Sequence, residues 1–159
     1  MNNLTSQLIN VSRTGNVEEL NELLALKPEL NGADDKGYTP LIIACYNNRY
    51  EAAKVLIEAG ADVNAADFGG NTALMGASFK GYANIAELLI VNGANLNLQH
   101  GNGGTALMFA AMFGRNELVA LLLKYGADLH MLDVRGLSAF DLAAQQGNEE
   151  AITLMEQYV

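Results

Sequence analysis

Two histidines (His100, His130), one cysteine (Cys45) and two carboxylate pairs (Asp34–Asp35, Glu149–Glu150) are the side chains whose types could do chemistry. Histidine, thiolate and carboxylate can together hold zinc, but a zinc site needs ligands at close spacing, such as two histidines on one helix face. Here the histidines are far apart in sequence and Cys45 has no second cysteine beside it. The glycines of "GNGG" at 101–104 could let a phosphate approach the backbone. No Lys-Ser/Thr follows them and no strand precedes them, so they read as a flexible loop. The carboxylate pairs fall in a turn and at a helix start, where acidic residues are favoured. No nucleophile, base and oxyanion site come together. The sequence therefore predicts no catalytic residue, no metal and no cofactor.

Charge narrows the partners. Eighteen acidic residues against nine basic ones give a net charge of −9. This argues against a nucleic-acid backbone as partner, and no nucleic acid is expected, because phosphate binding needs clustered Lys and Arg. Anionic membrane surfaces are disfavoured for the same reason. "MNNLTSQLINVS" has neither the basic start nor the apolar block of a secretory signal. No run of about 18 apolar residues offers a membrane span. With half its residues apolar, the chain can bury a sizeable core. A soluble, cytoplasmic, monomeric protein is the expectation.

What would position these side chains is a repeat. "GNTALMGASFKG" from Gly70 and "GGTALMFAAMFG" from Gly103 share the tetrapeptide TALM, with Thr72 and Thr105 33 residues apart. The same step reaches Ser6, Thr39 and Ser138, and two residues beyond each stand Leu8, Leu41, Leu74, Leu107 and Phe140. A second column holds Gly15, Asn48, Gly81, Gly114 and Gly147. A third begins "GADVN" at Gly60, "GANLN" at Gly93 and "GADLH" at Gly126, with "KPELN" at Lys27 as a degenerate copy. Columns that stay in phase along the whole chain mark an architecture, not a duplicated site.

Each unit reads as two helices and a turn. Thr39, Thr72, Thr105 and Ser138 suit N-caps, and Pro40 suits the first helical position. The glycine or asparagine column is a short turn into a second helix, with apolar residues at helical spacing such as Ile85, Leu88 and Leu89. Gly60, Gly93 and Gly126 suit a left-handed helix end. The Asp-, Asn- and Gly-rich stretch that follows reads as a hairpin-like turn. A unit this small cannot bury its own apolar face and must stack on its neighbours. Cys45 shares a column with Ser78, Ala111 and Ala144, which predicts a packed thiol.

These residues resemble the ankyrin repeat. The family pattern Gly-x-Thr-Pro-Leu-His-x-Ala is matched by "GYTPLIIA", "GNTALMGA" and "GGTALMFA", and the Gly-Ala-Asp-Val-Asn pattern by "GADVN". Ile42, Met75 and Met108 replace the family histidine, so the loop hydrogen bonding it supplies is expected to be absent. The resemblance implies an all-α ankyrin-repeat solenoid of stacked helix-turn-helix units with hairpin-like loops, about five units including caps. The expected units are an N-terminal cap at 1–33, full repeats at 34–66, 67–99 and 100–132, and a C-terminal cap at 133–159. Glu19, Glu22 and Glu156 stand in columns that are apolar in the other units, as caps require, and this favours a complete protein.

The resemblance also implies function. In ankyrin stacks, partners are usually met by the hairpin tips and the exposed end of each first helix, which line the concave side. In this sequence the helix-end columns hold Tyr46 and Asn47, Phe79 and Lys80, and Met112 and Phe113. The hairpin columns supply Asp35, Lys36, Tyr38, Phe68, Asn71, Val134, Arg135 and Leu137. Tyr46, Phe79 and Phe113 are expected in one stripe, about 10 Å apart, as the width of stacked helices sets. The reading is a non-catalytic module that binds a client protein along this face. The alternative is a self-associating protein that uses the same apolar face to form a homo-dimer.

Overall fold

The computed structural model describes residues 3–159. Among them are ten helices and one isolated β-bridge, Ala66 to Thr72. The chain divides into two compact units, Met1–Ala73 and Leu74–Val159. The first carries α1 (Asn3–Thr14), α2 (Val17–Leu24), α3 (Pro40–Tyr46) and α4 (Tyr50–Glu58). Helix α5 (Ala73–Lys80) opens at the boundary. Helices α6 (Ala83–Val91), α7 (Ala106–Met112), α8 (Asn116–Lys124), α9 (Ala139–Gln145) and α10 (Glu149–Glu156) complete the second. The all-α expectation holds.

Local chemistry starts the helices where the repeat places them. The hydroxyls of Thr39 and Thr105 each accept the backbone N–H three residues on, from Ile42 and Met108, both at 3.2 Å. Pro40 takes the first turn of α3, where its missing N–H costs nothing. Ser138 and Asp141 form a reciprocal capping box on α9. Thr72 is buried directly before α5. Helix α1 is different: it starts at Asn3, so Ser6 of the same column lies inside the helix.

The turns follow the glycine columns. Gly15, Gly81, Gly114 and Gly147 all take a positive φ, and Asn48 reaches the same region at 59°. Asparagine is the residue other than glycine that enters it most readily. Gly60, Gly93 and Gly126 end their helices at φ of 104°, 97° and 93°. Lys27 occupies that column in the first unit and is forced to φ 52°. A left-handed L-residue costs about 1–2 kcal/mol, offset in part by the entropy glycine loses on folding. Lys27→Gly is therefore expected to stabilise the protein by about 0.5–1 kcal/mol in urea unfolding. A loss of stability would show that the lysine side chain contributes more than its backbone costs.

The leucine column forms the core. Leu8, Leu20, Leu41 and Leu56 are fully buried in the first unit, and Leu74, Ile85, Leu89, Leu107, Leu118 and Leu122 in the second. In the first unit α1 packs on α3 and α2 on α4, while in the second α7 packs on α9, α6 on α8 and α8 on α10. First helices thus lie beside first helices, and second beside second. Cys45 is fully buried, and burial pushes its thiol up to about 12, so it stays protonated and unreactive. Ser78 and Ala111 of its column are buried too, whereas Ala144 is exposed. Glu19, Glu22 and Glu156 face solvent.

Side-chain bridges tie one repeat to the next. The Asn31 side-chain oxygen accepts the Asp62 N–H and that of Asn97 accepts the Asp128 N–H, both at 2.9 Å. Asn31 ends "KPELN" and Asn97 ends "GANLN", so the bridge is the work of the last asparagine of that column. At the helix-pair turns, Arg49 Nε donates to the Arg13 carbonyl at 3.0 Å and Arg115 Nε to the Phe79 carbonyl at 2.9 Å. Asn148 Nδ2 does the same for the Ala111 carbonyl at 2.9 Å.

Candidate protein-binding face

The hairpins are closed by a carboxylate. One oxygen each of Asp34, Asp67 and Asp133 accepts two backbone N–H groups, from the residues two and four further on, at 2.8–3.0 Å. Such local bonds hold a tight turn without a sheet. His100 stands in the same column and does half of this work: its Nδ1 accepts the Gly104 N–H at 2.8 Å. With Nδ1 an acceptor, the neutral ring carries its proton on Nε2. The ring meets Phe109 edge to face at 5.1 Å. Asp133 is held below the usual carboxylate range, first by the Leu137 N–H and further by Arg135, so it stays ionised at neutral pH.

Successive hairpins also bond to each other. The Phe68 N–H donates to the Lys36 carbonyl at 3.1 Å, and the Val134 N–H to the Asn102 carbonyl at 3.0 Å. Glycine makes this approach possible. A Cβ on Gly37 would lie 2.6 Å from the Phe68 nitrogen, and one on Gly103 would lie 2.8 Å from Asp133 Cα and the Val134 nitrogen. A Cβ on Gly104 would press on the His100 ring at 2.8 Å. Gly103 and Gly104, expected to confer flexibility, instead make room for neighbours. For Gly103 the neighbours are Asp133 and Val134, some 30 positions away, and for Gly104 the neighbour is the His100 ring.

In the first unit the predicted residues separate into two kinds. Asp35, Lys36 and Phe68 form exposed hairpin tips, with Phe68 79% exposed although its ring lies over Gly37. Tyr46 is exposed at the end of α3, and Tyr38 is half-buried beneath its hairpin. Asn71 and Asn47 serve the fold. Asn71 Nδ2 donates to both Asp67 carboxylate oxygens, and Asn47 Nδ2 closes α3 on the Ile43 carbonyl at 2.8 Å.

In the second unit Phe79 and Phe113 pair edge to face, with ring centroids 4.7 Å apart. This is half the expected spacing: the helices set the backbone separation, but long side chains lean together across it. Phe79 is half-buried and Phe113 is 46% exposed. Lys80 and Leu137 are half-buried, and Val134 and Arg135 are exposed at the last hairpin. Beside them lies an open groove of about 430 Å³ whose floor is Met108, Phe109, Met112 and Leu142 and whose rim includes His100, Asn102, Val134 and Arg135. The structure thus joins Met112, Val134 and Arg135, which the sequence placed on the binding face, to seven residues it did not place there. His100 could have been found, because it is the one non-Asp residue in the hairpin column. Phe109 had no such signal, since its column holds Ile43, Gly76 and Leu142.

Comparison with known families agrees with the repeat fold. Residues 74–158 match a family model described as ankyrin repeats in three copies, and residues 23–77 match another described as ankyrin repeats in many copies. A comparison with curated proteins found no match.

Proposed function

The chain belongs to the ankyrin-repeat family, and from that premise we propose that it is a non-catalytic module that binds a client protein through its hairpin tips and first-helix ends. Ankyrin repeats are generally protein–protein interaction modules. The observation that carries the reading here is the second unit, which presents both a groove with an apolar floor and a paired, half-exposed Phe79 and Phe113. Apolar surface of this kind on a folded protein marks contact sites, and aromatic anchors dominate binding energy. The first unit has its own proposed contact residues in Tyr46, Phe68, Asp35 and Lys36.

No helix among the described residues is long and apolar enough to cross a membrane. The buried, protonated Cys45 and the absence of any second cysteine fit a reducing cytoplasm, where we place the protein as a monomer.

Phe113→Ala is the direct test. Truncating an exposed anchor is expected to cost about 2 kcal/mol of binding, roughly 30-fold in Kd, with little loss of fold. Glu117→Ala, on the exposed side of α8, is the control. Proteins captured from the source cells by the wild type should be lost by the first variant and kept by the second. Capture unchanged in both variants would overturn the proposed face. A wild-type dimer that Phe113→Ala dissolves, seen by light scattering, would assign the face to self-association instead.

A further inference from the structure

Resting on that reading, we propose that the groove of the second unit takes the C-terminal residue of a partner chain. The apolar side chain of that residue sits on the Met108–Phe109–Met112 floor, and its carboxylate meets Arg135 and His100. The argument begins with how Arg135 is held. Its Nε and Nη2 donate to one oxygen of Asp133, at 3.2 and 2.9 Å. The Asp133 side chain is only 6% exposed, whereas that of Arg135 is 61% exposed. Asp133 also lines the cavity, but its carboxylate is nearly buried and each oxygen already accepts two N–H groups, so the face of the pair that reaches solvent is cationic. Nη1 is left to donate outward. On a chain of net charge −9 this is a local exception.

His100 adds a second donor. Its Nδ1 is engaged by Gly104, so the ring proton lies on Nε2, and Nε2 has no partner among the described residues. Both donors line the same cavity as the methionine and phenylalanine floor. A cavity of about 430 Å³ accommodates one large residue with its backbone, not an extended segment. A chain end satisfies both halves with a single residue. At a chain end, the carboxylate and the side chain leave the same Cα. In an extended internal segment, an acidic residue next to an apolar one points to the opposite face and cannot share the cavity.

The test uses the full chain labelled at its methionine methyls and backbone amides, titrated with three peptides. They are acetyl-Gly-Ser-Gly-Leu with a free carboxylate, the same peptide with a C-terminal amide, and acetyl-Gly-Ser-Leu-Glu-amide. The free acid should shift the Met108 and Met112 methyls and the Arg135 amide, and should bind about tenfold more tightly than the amide. Arg135→Gln should bring the free acid down to the level of the amide, while Arg135→Lys keeps most of the preference. Thermal melts of both variants separate lost binding from lost fold. Equal binding of acid and amide, shifts outside the groove, tightest binding by the Leu-Glu peptide, or no shift with any peptide would each overturn the proposal. Its failure is distinct from failure of the wider face. Loss of captured proteins in Phe113→Ala alongside equal acid and amide binding removes only the subsite, and an intact acid preference with unchanged capture removes only the wider face.

Discussion

Gly103→Ala is expected to cost about 3 kcal/mol or more, and Gly136→Ala about 1 kcal/mol, although the two positions differ little in backbone conformation. Their φ angles are 84° and 80°. Each substitution carries the penalty of a left-handed L-residue, about 1–2 kcal/mol. The rest is steric. A Cβ at Gly103 would sit 2.8 Å from two backbone atoms of the next hairpin, which cannot swing aside as a side chain could. At Gly136 nothing lies within 4 Å. The difference in urea unfolding free energy therefore isolates the contribution of hairpin-on-hairpin packing. Equal costs at the two positions would mean that the Val134–Asn102 bond and the contacts around it add little to stability. The same substitution should also distort the groove, because Asn102 and Val134 lie on its rim.

Deleting residues 1–33 should have the largest effect on solubility. Helices α1 and α2 supply Leu8, Ile9, Val11 and Leu20 to the core and pack on α3 and α4. Their removal also strips the Arg49 side chain of its carbonyl acceptor and the Asp62 N–H of the Asn31 side chain. The newly exposed apolar face of α3 and α4 is expected to drive aggregation, because Glu19 and Glu22 no longer present a polar surface in its place. Size-exclusion chromatography and a thermal melt give the answer. A truncated chain that stays monomeric and melts with the full one would show that the first 33 residues do not act as a cap.

Much of the fold was legible because its signals are local. A threonine caps a helix through a bond three residues long, and a glycine ends one through its own φ, so Thr39, Thr105, Ser138, Gly60 and Gly126 announce their roles within a few positions. Lys27 was legible as a weak copy of that column, though not as a strained one. The bridges were not legible. Asn97 meets Asp128, and Arg115 meets the Phe79 carbonyl, only once the repeats have stacked. The candidate face divides the same way. Exposure of Phe68, Val134 and Arg135 follows from their place at hairpin tips. That Asn47 would turn back onto its helix backbone, that Asn71 would bond the Asp67 carboxylate, and that Phe79 and Phe113 would pair, depends on side-chain directions that column position does not specify. His100 was weighed as a metal ligand and set aside, and its part as the acceptor that closes its hairpin was not read from the sequence.

The Asn31–Asp62 and Asn97–Asp128 bonds have the same reach along the chain, 31 residues in each case. A bond of fixed reach gives the protein something like a reading frame. Gain or loss of a whole 33-residue block leaves every asparagine facing the N–H it needs. Gain or loss of a single residue between the two ends of a bridge shifts all later columns out of phase, turning caps into core and glycine turns into side-chain clashes. Length can therefore change in whole blocks through duplication or deletion, and each added block brings its own hairpin tip and helix end, free to diverge. The ladder that fixes the spacing is what leaves the binding chemistry open to change.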